Sequence, residues 1–221
     1  MLLVHNNILK DRNVQMQASA GHPKFSGASW QLLQRPSVEV VSDASGSFGC
    51  GGFWAAHGWF QVQWPESWLA IHITAKELLP VVIASALWGH RWTQQQVRFR
   101  SDNSALVCLL NSLSLPDANL VHLLRCLSFY AAYYRFTFEV AHIPGTQNVA
   151  ADAISRNNIP LFLSLQPQAP QVMIPQQVME LLITRQPDRG SHTWTHLFKA
   201  SLNMDLANPP ELSTSQGGVN I

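Results

Sequence analysis

Four acids in this chain stand where a strand runs out or a helix begins. They are Asp43 after VEVVS, Glu77 in TAKELL, Asp102 after VRFRS and Asp152 in AADAIS. Carboxylates are hard oxygen donors, and three or four gathered at one point can hold divalent magnesium or manganese while leaving positions open for water and phosphate oxygens. Two such ions held roughly 3.5–4 Å apart can activate a water and stabilise a departing oxygen. Each acid also has a purely local use. Asp43 suits the start of a turn with Ser45, and Glu77 suits a capping box with Thr74. Asp102, followed by Asn103 and Ser104, suits a helix N-cap, and Asp152 suits the positive end of a helix dipole. The intervals of 34, 25 and 50 residues between the acids do not by themselves bring them together.

Elements able to position these acids can be read from the pattern. SVEVVSD is rich in β-branched residues and predicts a strand ending at Asp43. GCGGFWAAH and WFQVQW predict two more strands of a meander, joined at His57-Gly58. Residues 74–90, TAKELLPVVIASALWGH, predict a helix with Thr74 as N-cap and Glu77 at its third position. Pro80 inside it removes a hydrogen bond. VRFRSD (97–102) predicts a fourth strand, again ending at an aspartate, with a short helix from Asn103. Residues 118–135 carry helical periodicity, with Leu120, Leu123, Leu124, Leu127 and Ala131 on one face. FTFEVAHI (136–143) predicts a fifth strand, Pro144-Gly145 a turn, and 148–156 a final short helix. The order is β-β-β-α-β-α-α-β-α, and every candidate acid falls near an element end.

Composition bounds the rest. Of the 221 residues 47% are hydrophobic, which suits a packed domain. Only 12% are charged and the net charge is +1, so any basic surface for a polyanion must be local. Three dispersed cysteines, Cys50, Cys108 and Cys126, make neither a disulfide framework nor a zinc motif. The apolar run from Leu78 to Gly89 is too short for a bilayer, which needs about 20 residues. No signal peptide is evident, so cytoplasm or nucleus is the expected location and no membrane partner is expected. Trp54, Trp59, Trp64, Trp68, Trp88 and Trp92 read as core, with Trp88 and Trp92 pairing across one helical turn. Residues 1–36 read as a linker or upstream remnant, 37–158 as the domain, and 159–221 as a Pro/Gln-rich linker and mostly irregular tail. A short helix is expected from Gln176 to Thr184.

In that order, VVSDAS, TAKELLPVV, RSDNSALV and HIPGTQNVAADAISR resemble the four active-site blocks of the ribonuclease H family. The likeness covers about residues 38–158 and is strongest to ribonuclease H domains of retrotransposon reverse transcriptases. LLPVVIASALWG, LLRCLSFYAAYY and ADAISRNN resemble the DIRS-type group, which carries a tyrosine recombinase. SHTWTHLFKASL (191–202) is similar to the lead-in to that recombinase.

The resemblance implies an α/β chain with a ribonuclease H-like fold, a five-stranded mixed sheet with helices on both faces. It implies endonucleolytic hydrolysis of the RNA strand of RNA–DNA hybrids, with Asp43, Glu77, Asp102 and Asp152 holding two magnesium or manganese ions. Implied partners are the hybrid itself and the polymerase and recombinase parts of a parent element. Many members carry a histidine on the loop before the last aspartate. Here Thr146 falls near that place, and His142 is the candidate substitute. Ser45, Asn103 and Asn148 are candidate contacts to the hybrid, whose wide minor groove and 2′-hydroxyls suit small polar groups. The competing reading keeps the fold as an inactive remnant that binds nucleic acid or serves a structural role. The two readings part first on geometry: the catalytic one requires the carboxyl oxygens of Asp43, Glu77 and Asp102 to meet, with Asp152 at the edge.

Overall fold

A computed structural model describes residues 38–112 and 118–184. The N-terminal stretch, the segment resembling the recombinase lead-in and the polar C-terminal tail lie outside the described residues. Five strands form one sheet: β1 (Val38–Ala44), β2 (Gly49–Phe53), β3 (Trp59–Gln63), β4 (Gln96–Ser101) and β5 (Thr137–His142), in the spatial order β3-β2-β1-β4-β5. The first three are antiparallel to one another, whereas β4 runs parallel to both β1 and β5. The expected mixed sheet is therefore observed.

Helices α1 (Glu66–Leu69), α2 (Ile73–Trp88), α3 (Ser104–Ser112), α4 (Ala118–Tyr133), α5 (Val149–Ser155), α6 (Ile159–Leu165) and α7 (Gln176–Met179) complete the fold, the last continuing as a π-helical turn over Glu180–Thr184. Helix α2 is buried at every residue from Thr74 to Trp88, which is why its sequence is apolar all round rather than along one stripe. It lies between the sheet and α4, in a core with Val40, Phe60, Val97, Phe99, Leu123 and Tyr130. The opposite face of β1 and β2 is covered by α5, with Ala151 and Ile154 against Phe53 and Trp59. Gly51 makes that approach possible: a Cβ there would stand 2.2 Å from the Ile154 Cγ2. Five of the six tryptophans read as core are buried, Trp54 is half-buried, and Trp88 and Trp92 pack with ring centroids 6.4 Å apart.

Two local expectations are corrected. Helix α2 is capped two residues earlier than expected, by His72, whose Nδ1 accepts from the Thr74 amide at 3.2 Å. Thr74 is thus inside the helix, and Glu77 is freed from any capping box. The segment read as a Pro/Gln linker is packed as far as Ile183. Phe162 is fully buried with its ring 5.6 Å from Phe53 and 5.2 Å from Trp59. The Trp59 amide donates to Pro170, and the Val172 amide donates back to Trp59, covering the free edge of β3. The Trp68 indole donates to the Ile183 carbonyl at 2.9 Å, and Val178, Leu181 and Leu182 are buried. The expected helix near Gln176 is present.

Phe162 gives the direct test of this docking. Phe162→Ala leaves a cavity between α6 and the sheet and is expected to lower unfolding stability by about 3–5 kcal/mol. A loss under about 1 kcal/mol in denaturant titration would show that 159–165 does not belong to the core.

Candidate active site

The parallel pairing of β1 and β4 sets the site. Val41 lies opposite Arg100, so two residues further on each chain reaches an aspartate, Asp43 and Asp102. Side chains alternate along a strand, and Glu39 is ion-paired with Arg100, which puts the two aspartates on the same side of the sheet. Glu77 arrives from α2, which packs against the other side. Beyond the strand ends all three meet: one carboxyl oxygen each from Asp43, Glu77 and Asp102 lies within 4.8 Å of the others. Asp43 and Glu77 are each 4% exposed, and Asp102 is half-buried.

Hydrogen bonds hold the cluster. Both oxygens of Asp43 accept from the ends of α5: Oδ1 from the Asn148 amide at 3.1 Å, Oδ2 from the Ser155 hydroxyl at 2.5 Å. The Ser101 hydroxyl donates to Glu77 Oε2 at 3.3 Å and accepts from the Asn103 amide. The Ala44 backbone amide also bonds the Glu77 carboxylate. Gly145 stands against Asp102, where a Cβ would lie 3.3 Å from Oδ2.

Asp152 stands apart from the three. Its Oδ1 accepts from the Arg156 guanidinium at 2.5 Å one helical turn away, and its side chain is 43% exposed. Its charge still reaches Asp43.

The remaining candidates fall differently. Ser45 is buried, and its hydroxyl closes the β1–β2 turn, accepting from Phe48 and Gly49 amides and donating to the Gly49 carbonyl. Asn148 is 1% exposed and turned to Asp43. Asn103 is half-buried and caps α3 through a 2.9 Å bond from the Leu106 amide. His142 is exposed at the end of β5, in register with Ser101, the residue before Asp102. Ser101 and Ser155 were not singled out in the sequence. Their signals are membership in the blocks RSDNSALV and HIPGTQNVAADAISR, with Ser101 directly before Asp102 and Ser155 one helical turn after Asp152.

The electrostatics follow from burial first and crowding second. Burial raises the Asp43 carboxyl to about 6, with Asp102 and Asp152 adding to the rise and Ser155 and Arg156 opposing it. Burial also pushes Glu77 up to about 9, helped by the charges of Asp43 and Asp102 and partly offset by Ser101 and Ala44. Asp43 and Glu77 thus resist ionising, and a divalent cation beside them removes that resistance. The donor set, all carboxylate oxygen, is the chemistry magnesium and manganese select. The residues present fit such ions.

No family model matches the chain, and no curated protein matches it. Among solved structures it is similar to ribonuclease H1 of the halophilic archaeon Halobacterium salinarum NRC-1. That likeness has a TM-score of 0.43 and 12% identity, covering 56% of this chain and 97% of that one. It is also similar to LC11-RNase H1, solved in complex with an RNA/DNA hybrid, with a TM-score of 0.40 and 14% identity over 54% of this chain and 94% of that one. At these values the likenesses carry no functional argument. The carboxylate geometry stands on its own.

A pH dependence follows for the metal-free chain. Both carboxyl groups have folded-state values above the unfolded ones of about 4. Their contribution is fully present below that range and is lost as pH rises through about 6 for Asp43 and about 9 for Glu77. Without divalent ions the melting temperature is therefore expected to fall between pH 5 and pH 8. Millimolar magnesium or manganese should restore it at pH 8 and do little at pH 5, because the ligands must lose protons to bind. A melting temperature at pH 8 indifferent to both ions would contradict the metal-site reading.

Proposed function

We propose that this chain cuts the RNA strand of RNA–DNA hybrids endonucleolytically, with two magnesium or manganese ions held by Asp43, Glu77 and Asp102 and with Asp152 at the rim. One observation carries the reading: three carboxylates converge beyond the ends of two parallel central strands, on residues of the blocks that resemble ribonuclease H. Two divalent ions held there would supply an activated water and stabilise the departing 3′-oxygen.

The chain's own contribution is positioning. Asp43 and Asp102 are fixed by neighbouring strands, and Glu77 by a helix buried on all sides. Asn103, at the start of α3 beside Asp102, is the most accessible of the three candidate substrate contacts and suits a 2′-hydroxyl. His142, exposed one strand over, is the candidate for the role of the missing loop histidine. Among the described residues no helix is long and apolar enough to cross a membrane. The sequence blocks further support a place in a DIRS-type reverse transcriptase polyprotein, with polymerase and recombinase as partners.

Asp102→Asn keeps the shape and removes the charge that a cation needs. Cleavage of a labelled hybrid is expected to fall by orders of magnitude, while the metal-free fold is unharmed because a repelling charge has gone. Equal cleavage by wild type and Asp102→Asn would overturn metal catalysis at this site. Wild type that binds hybrid and never cuts it, with either ion, would favour the inactive remnant.

A further inference from the structure

Helix α5 supplies Asp152, but its firmest contacts with the cluster are made from its two ends to Asp43. The Asn148 amide, just before the helix, donates to Oδ1, and the Ser155 hydroxyl, at its last residue, donates to Oδ2. Both donors are sealed from water, Asn148 at 1% and Ser155 at 0% exposure. Ser155 Oγ also approaches the Asp152 carbonyl at 3.0 Å, an approach that turns the hydroxyl back along its own helix. A carboxylate has about four acceptor positions. Two are taken by α5, which fixes the plane of the group and leaves one position on each oxygen for the side facing Glu77 and Asp102. The Asn148 Oδ1 is itself buried without a protein partner, so this amide satisfies Asp43 and leaves its own acceptor open at the edge of the cluster.

We infer that Asn148 and Ser155 are positioning residues, a two-point clamp that orients the Asp43 carboxylate for a divalent cation. The inference rests on the metal-dependent reading above and deepens it. The clamp explains why a short helix of seven residues, docked over glycine-thinned β2, is tied to the central strand through side chains rather than through apolar packing alone. It also makes Asp43 geometry depend on how α5 sits. Partners of this kind around metal ligands typically change metal affinity 10–100-fold when removed.

Manganese binding to the full chain, titrated by electron paramagnetic resonance of free Mn2+ at pH 8, reads the clamp without any cleavage. Ser155→Ala is expected to weaken Mn2+ binding at least about tenfold, and Ser155→Thr, which keeps the hydroxyl, to recover most of it. Asn148→Ala empties the other oxygen and carries the same expectation, so the test survives if one variant does not fold. Circular dichroism accompanies each titration. A purely structural role would lower the melting temperature and leave Mn2+ affinity within twofold of wild type. That result in a folded Ser155→Ala or Asn148→Ala chain overturns the clamp. Wild type that binds no Mn2+ overturns it too. Wild type that binds Mn2+ and cuts no hybrid sinks the nuclease reading alone, and the affinities still decide the clamp.

Discussion

Bringing three like-charged groups to one half-buried point is the constraint from which the rest of this structure follows. Water solvates separate carboxylates well, so burying Asp43 and Glu77 beside other acids raises their proton affinity and disfavours the fold until a cation or a proton intervenes. Asp43 and Glu77 have raised values, chiefly because burial disfavours their charged form and further because the neighbouring acids repel it. The compensation is local and specific. Ser155 and Asn148 donate to one acid, and Ser101 and the Ala44 amide donate to another.

Holding it requires a scaffold that does not yield. Parallel pairing of β1 with β4 places two of the acids at equal height along the sheet. Helix α2, buried on all sides, fixes the third. On the opposite face α5 is pressed to the sheet by the absence of a side chain at Gly51, and Phe162 of α6 fills the space beside it against Phe53 and Trp59. The segment past Asn157 is therefore part of what keeps α5 in place. The turn after β1 is secured separately: Lys76 donates to the Gly46 carbonyl at 2.6 Å, and the Trp64 indole to the Ser45 carbonyl at 2.8 Å.

Much of this was legible in the sequence, for identifiable reasons. Strands β1 and β4 announce themselves through β-branched and apolar alternation that stops at an aspartate. The mixed sheet and the expected meeting of the acids came from resemblance in four short blocks, since intervals of tens of residues carry no spatial information. The start of α2 was misread because Thr74 with Glu77 fits a capping box, whereas His72 caps the helix and Glu77 turns to Ser101. The Pro/Gln composition of 159–184 hid a handful of anchoring apolar residues, Phe162, Val178, Leu181 and Leu182, whose burial depends on partners far away in sequence. Ser45 and Asn148 were chosen for their chemistry. Where that chemistry is directed, into a turn and onto Asp43, only the fold shows.

The central claim is that this convergence exists to hold cations, and anomalous scattering from crystals grown with Mn2+ locates them directly. The account predicts manganese peaks among the carboxylates of Asp43, Glu77 and Asp102, with a second ion about 4 Å from the first when hybrid is present. Manganese bound elsewhere, with these three carboxylates protonated and paired to one another, would contradict it.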